Sequence, residues 1–132
     1  MHGYVLDSFA ILEWLKNQEP TATIVQKILT GDQPVAMSAI NVGEVVYILH
    51  KRFLPAQSDA FVNLLPNAPF QIVSPSLEDT LAAAALKARY AISYADAFAA
   101  QLALKLARPL VTGDPEFKVV PNLKFIWLPN NS

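Results

Sequence analysis

The chain has 132 residues, 53% of them hydrophobic and 16% charged, with a net charge of −1 at pH 7 and no cysteine. That length suits one domain with a substantial core and is too short for two, so residues 1–132 are read as a single unit. The lack of cysteine removes disulfides, zinc–thiolate sites and a thiol nucleophile, and an isoelectric point near 6.1 excludes the global basic field of general nucleic-acid binders, so any nucleic-acid contact must be local.

The first segment, Met1-His2-Gly3-Tyr4-Val5-Leu6-Asp7, has no basic n-region and meets an acid at once, which argues against a signal peptide. Tyr4-Val5-Leu6 reads as a short buried strand. After Ser8, apolar residues recur at Ile11, Leu12 and Leu15 with helical spacing. Pro20 opens a second helix carrying Ile24, Val25, Ile28 and Leu29, which Gly31-Asp32 closes. Val35-Ala36-Met37 is the second expected strand. A helix is expected from Asn41 through Val45, Val46 and Leu49, and another from Pro55 through Phe61, Val62 and Leu65. Phe70-Gln71-Ile72-Val73 reads as the third strand. Ser76 with Asp79 has the spacing of a capping box for a helix to about Tyr90, and Ser93 with Asp96 repeats it for Ala95 to Ala107. Pro109 to Thr112 and Lys124 to Trp127 supply two more strands. Strands separated by helices, with no hairpin signal between them, predict a mostly parallel sheet covered by helices on both faces. No apolar run is long enough to span a bilayer, and a soluble, cytoplasmic protein is expected. Mean hydropathy of +0.30 is high for a monomer of this size and predicts apolar surface hidden in an oligomer or by a partner.

Four acids stand apart from the rest. Asp7, Glu44 and Asp114 follow the first, second and fourth strands, and Asp96 begins the helix before the fourth. Each has an ordinary structural explanation: Asp7 and Asp114 as helix N-caps, with Pro115 well placed after the latter, and Glu44 and Asp96 as acidic members of capping boxes begun by Asn41 and Ser93. The other acids, including Glu116, fall on helix faces or loops where solvation accounts for them. In an open parallel sheet, however, all four positions converge beyond the carboxyl ends of the strands, where such folds bind ligands. Four carboxylates there repel one another unless a divalent cation lies among them, which points to Mg2+ or Mn2+ and to phosphodiester hydrolysis.

Asp7-Ser8, Ser38 leading to Glu44, Ser93-Tyr94-Ala95-Asp96-Ala97-Phe98-Ala99-Ala100 and Thr112-Gly113-Asp114-Pro115-Glu116-Phe117 resemble the successive motifs of PIN domains. The likeness is closest to VapC-type toxin ribonucleases of toxin–antitoxin pairs, and it spans nearly the whole chain in order. It implies an α/β/α sandwich with a parallel sheet of four or five strands, a Mg2+- or Mn2+-dependent endoribonuclease acting on an RNA substrate, a homodimer, and inhibition by a small cognate antitoxin. Asp7, Glu44, Asp96 and Asp114 match the family's four acidic positions, with Ser8 and Thr112 at the polar positions beside them. Asn41 stands where the family often has threonine.

Asp7 and Asp96 are the expected direct ligands, with Asp114 close behind and Glu44 holding a water. Lys51, Arg52, Lys87, Arg89 and Lys118 are candidate backbone contacts whose simpler reading is solvated charge. Trp14 and Trp127, in apolar surroundings, are expected in the core in preference to serving as base-stacking platforms, and His2 and His50 have no partner at metal or triad spacing. A receiver domain would need an aspartate ending the third strand, where Val73-Ser74-Pro75 stands, and a haloacid-type phosphatase would need Asp-x-Asp where Asp7-Ser8-Phe9 stands. The remaining rivals are a PIN-fold interaction protein without useful activity and a DNA-cleaving nuclease.

Overall fold

Short apolar strands alternate with amphipathic helices throughout the computed structural model, which describes residues 2–52 and 54–130; Met1 of the first expected segment lies outside them. In chain order these are β1 (Tyr4–Leu6), α1 (Ser8–Leu15), α2 (Thr21–Leu29), β2 (Val35–Ser38), α3 (Ala39–Lys51), α4 (Pro55–Leu64), β3 (Gln71–Val73), α5 (Leu77–Arg89), α6 (Tyr94–Leu106), β4 (Leu110–Thr112) and β5 (Phe125–Trp127). The strands form one sheet in the order β3-β2-β1-β4-β5, and every neighbouring pair is parallel. This is a five-stranded α/β/α sandwich.

The chain winds outward from β1 through β2 to β3, then jumps back across β1 to β4 and on to β5. Parallel crossovers are right-handed, so connections running in opposite directions lie on opposite faces. Helices α1 to α4 accordingly pack on one face, around Leu6, Val35, Met37 and Val111. Helix α6 packs on the other, against Val5, Ala36 and Leu110. Ala97, Ala99, Ala100 and Ala103 are all buried there, and these small side chains let the α6 backbone settle close on the sheet. The reversal of winding makes β1 and β4 the topological switch point, where a crevice opens beyond the strand ends.

Two local expectations change. The helix expected from Asn41 starts two residues earlier, because the Ser38 side chain caps it by accepting from Ile40 N at 3.2 Å. Trp127, expected in the core, is 42% exposed, because β5 is an edge strand. Trp14 is half-buried and donates through Nε1 to Gln26 Oε1 at 2.7 Å.

Candidate metal centre

Asp7 directly follows β1 and caps α1: its Oδ1 accepts from Ala10 N at 2.9 Å. The other oxygen, Oδ2, accepts from the Thr112 hydroxyl at the end of β4. Thr112 is fully buried and its Oγ1 also accepts from Asp114 N, at 3.0 Å. One hydroxyl thus ties together the acids that follow the two switch-point strands. Asp114 in turn caps a 3-10 turn over Pro115–Val119, its Oδ1 accepting from Glu116 N at 2.9 Å. The cap reading is therefore correct for Asp7 and Asp114, and it orients both carboxylates instead of competing with a site.

The two Ser-x-x-Asp spacings behave differently. Around Ser76 the box closes fully, with Asp79 Oδ2 accepting from Ser76 N at 3.0 Å and Ser76 Oγ accepting from Asp79 N at 3.0 Å. At Ser93 only the serine half forms, Oγ accepting from Asp96 N at 3.1 Å. The Asp96 carboxylate is left to face the strand ends, where one oxygen each of Asp96, Asp114 and Glu116 lie within 4.8 Å of one another. Glu116, read from the sequence as a solvated acid, belongs to this group. The sequence signal was Pro115, which fixes a turn after Asp114 and keeps an acid two residues on within reach of the same edge.

Electrostatics mark the same spot. Burial pushes Asp7 up to about 7 against the hydrogen bonds from Thr112 and Ala10, and Asp96 and Asp114 add repulsion. Asp96 is also pushed up to about 7, first by burial, then by Asp114 and Glu44. Glu44 lies in the second turn of α3, not the first, and its Oε1 is buried with no hydrogen-bond partner among the described residues. Asn41, which does not cap α3, is fully buried and donates through Nδ2 to Ala95 O at 3.1 Å. That bond fixes the start of α3 to the start of α6, and with it Glu44 to Asp96. Ser8 opens α1 and is buried beside Asp7.

Such crowding disfavours the ionised form of each acid unless positive charge is supplied. An all-oxygen donor set with an orphaned buried carboxylate oxygen fits a hard divalent cation such as Mg2+ or Mn2+. Of the basic candidates, Lys118 lies in the turn after Asp114. Lys51 and Arg52 sit at the far end of the 13-residue α3, roughly 20 Å from its capped start. Lys87 and Arg89 end α5, a short connection before Tyr94 opens α6.

Residues 4–123 match the PIN domain family. The chain is a PIN domain. A comparison with curated proteins returns no match. Among solved structures, this PIN domain is similar to VapBC2 from Rickettsia felis bound to a promoter DNA fragment, with a TM-score of 0.76 and 20% identity over 96% of this chain and 98% of that one. It is also similar to VapC20 of Mycobacterium tuberculosis, described as a sarcin–ricin loop cleaving toxin, with a TM-score of 0.77 and 12% identity over 97% and 100%. A toxin–antitoxin complex from Klebsiella pneumoniae aligns with a TM-score of 0.68 and 16% identity over 92% and 95%. At these identities the likeness is one of fold.

Proposed function

We propose that this PIN domain is a divalent-metal-dependent endoribonuclease and the toxin of a toxin–antitoxin pair, acting in the cytoplasm. The observation that carries the reading is the meeting of Asp96, Asp114 and Glu116 within 4.8 Å beside the buried, hydrogen-bonded Asp7. Asp7, Asp96 and Asp114 would hold the cation, Mg2+ or Mn2+, with Glu116 at its outer side. When bound, the ion supplies Lewis-acid polarisation of a phosphate and of an attacking water. Glu44, whose buried Oε1 has no hydrogen-bond partner among the described residues, would orient that water and accept its proton. In hydrolysis the water oxygen bonds to phosphorus as the bond to a ribose oxygen breaks, and that oxygen leaves with a proton. Thr112 positions Asp7 and the Asp114 backbone. Ser8 stands beside Asp7 as a further polar group for a phosphate oxygen.

The toxin role draws support from the neighbours, which include a toxin–antitoxin complex and a sarcin–ricin loop cleaving toxin. A small antitoxin and a second copy of the chain are the partners this reading calls for. Incubation of purified protein with RNA and single-stranded DNA, with Mn2+ or with chelator, tests it alongside Asp96→Asn. RNA cleavage that needs the metal and Asp96 is the expected result. Equal cleavage of DNA would point to a general nuclease, and no cleavage of either to an interaction protein.

A further inference from the structure

The geometry points to Trp127 as a stacking platform for a nucleobase next to the scissile phosphate, a deepening that rests on the nuclease reading. Trp127 ends β5 in Cα register with Thr112, the residue whose hydroxyl holds Asp7 and the Asp114 amide. Neighbouring strands are about 4.8 Å apart, so the indole starts one strand outward from the acids. Register places it on the same face of the sheet: Phe125, two residues before it, packs on the α6 side with Leu110, and side chains alternate along a strand.

An edge tryptophan could simply be surplus apolar surface, but its surroundings are specific. Phe125 backs one face of the indole in a stacked arrangement, 4.3 Å between centroids at 20°, while Trp127 stays 42% exposed. Lys118 lays its ammonium over the ring, 5.4 Å from the centroid, from where the flexible side chain would swing to a phosphate as a base takes that face. The indole and Lys118, with Gly113, Pro115 and Asn130, line an open pocket of about 340 Å3, within the roughly 300–1,000 Å3 of small-ligand sites. Gly113 and Pro115 are the immediate neighbours of Asp114, so the pocket borders the loop that carries that acid. An aromatic face for a base and an ammonium for a phosphate, one step from a phosphodiester-cleaving centre, match the recognition elements of single-stranded nucleic acid. The occupant is an unpaired base of the RNA strand, since bases inside a duplex have their faces covered.

Two measurements test this. In steady-state RNA cleavage, Trp127→Leu keeps apolar bulk and removes the π-face; KM should rise about 5- to 100-fold with kcat within about twofold, and Trp127→Phe should restore most of the loss. The second uses the chain carrying Trp14→Phe and Asp96→Asn, in which Trp127 is the sole tryptophan and needs no substitution. A single-stranded RNA oligonucleotide should quench its fluorescence, and an abasic oligonucleotide of equal charge should not. Equal quenching by both, none by either, or an unchanged KM in a folded Trp127→Leu would overturn the platform. Failure of the nuclease reading looks different: the wild type cleaves nothing, yet base-dependent quenching survives.

Discussion

Thr112 is where the site can be tested most sharply. Its hydroxyl is buried and serves two carboxylate-bearing segments at once, so Thr112→Val removes one oxygen without changing volume. Leaving the buried Asp7 acceptor short of its partner costs about 1–3 kcal/mol, and the part-buried Asp114 amide loses its bond as well. The expected result is a lower denaturation midpoint together with a large loss of cleavage, read by denaturant titration and a gel assay on the same preparation. Asp96→Asn and Asp114→Asn should nearly abolish metal-dependent cleavage while the fold persists, because the amide keeps size and loses charge. Wild-type rates in both variants would reduce these acids to caps. Asp7 and Asp96 also set a pH signature. Both are held at about 7 without a cation, against about 3.8 when unfolded, so between those values the folded chain keeps protons that the unfolded chain releases. Stability therefore falls as pH rises through that window, by up to about 1.4 kcal/mol per pH unit for each group, and levels off above about 7. In chelator, Tm should be lower at pH 8 than at pH 5, and millimolar Mn2+ should raise it more at pH 8. An Mn2+ response unaffected by pH would argue against a site built from these two acids.

Among the secondary elements, the segment between β4 and the following turn is tightly packed. A side chain at Gly113 would strike the Phe9 ring of α1 closer than real Cβ contacts come, so that either the ring or the loop would have to shift. Gly113→Ala should displace the loop bearing Asp114, lowering cleavage far more than a surface Gly43→Ala, whose added methyl meets nothing within 4 Å. The contrast of α5 and α6 gives the complementary test. Asp79 is used up structurally: it closes the Ser76 box and accepts from Gln101 Nε2 at 3.1 Å and Lys105 Nζ at 2.9 Å. Those bonds, the Ser76 backbone amide first, hold its carboxyl down to about 2. Asp79→Ala should thus lower Tm, by opening the Ser76 box and loosening the α5–α6 contact, while metal-dependent cleavage per folded molecule stays unchanged. A change in metal dependence would place Asp79 in the site.

At the level of the whole molecule, the apolar excess that mean hydropathy announced is real. Ile24 and Ile28 of α2, Leu64 at the end of α4 and Leu65 after it are partly buried against the core, whereas Val62 of α4 is 45% exposed. The exposed large apolar side chains also include Leu77 at 75% and Leu81 at 62% on α5, Tyr47 at 60% on α3 and Tyr94 at 47% on α6. Leu77 and Leu81 are one turn apart and share a helix face. A two-fold pair covering this surface is the expected assembly, and light scattering should return twice 14.5 kDa. Leu81→Lys should shift that mass towards the monomer. A wild-type mass near one chain would leave this face to another partner, such as an antitoxin.

Much of this was written in local sequence. The strand and helix order follows from short β-rich runs set between helical periodicities, and the Ser76–Asp79 box and the Pro55 start declare themselves within four residues. Asp7, Glu44, Asp96 and Asp114 were visible because parallel topology sends strand ends to one edge. Other features needed the third dimension. A Ser-x-x-Asp acid can turn back to its cap, as Asp79 does with Lys105 and Gln101 on its other oxygen, or out towards other acids, as Asp96 does towards Asp114 and Glu116. Asn41 reads as a cap in sequence because nothing in its neighbours announces the buried bond to Ala95. Glu116 joined the acids through a turn, and Trp127 left the core because β5 became an edge. Spacing along a chain specifies hydrogen bonds that close within one turn, whereas a bond such as Thr112 to Asp7 spans 105 residues and exists only once the sheet has brought its strands side by side.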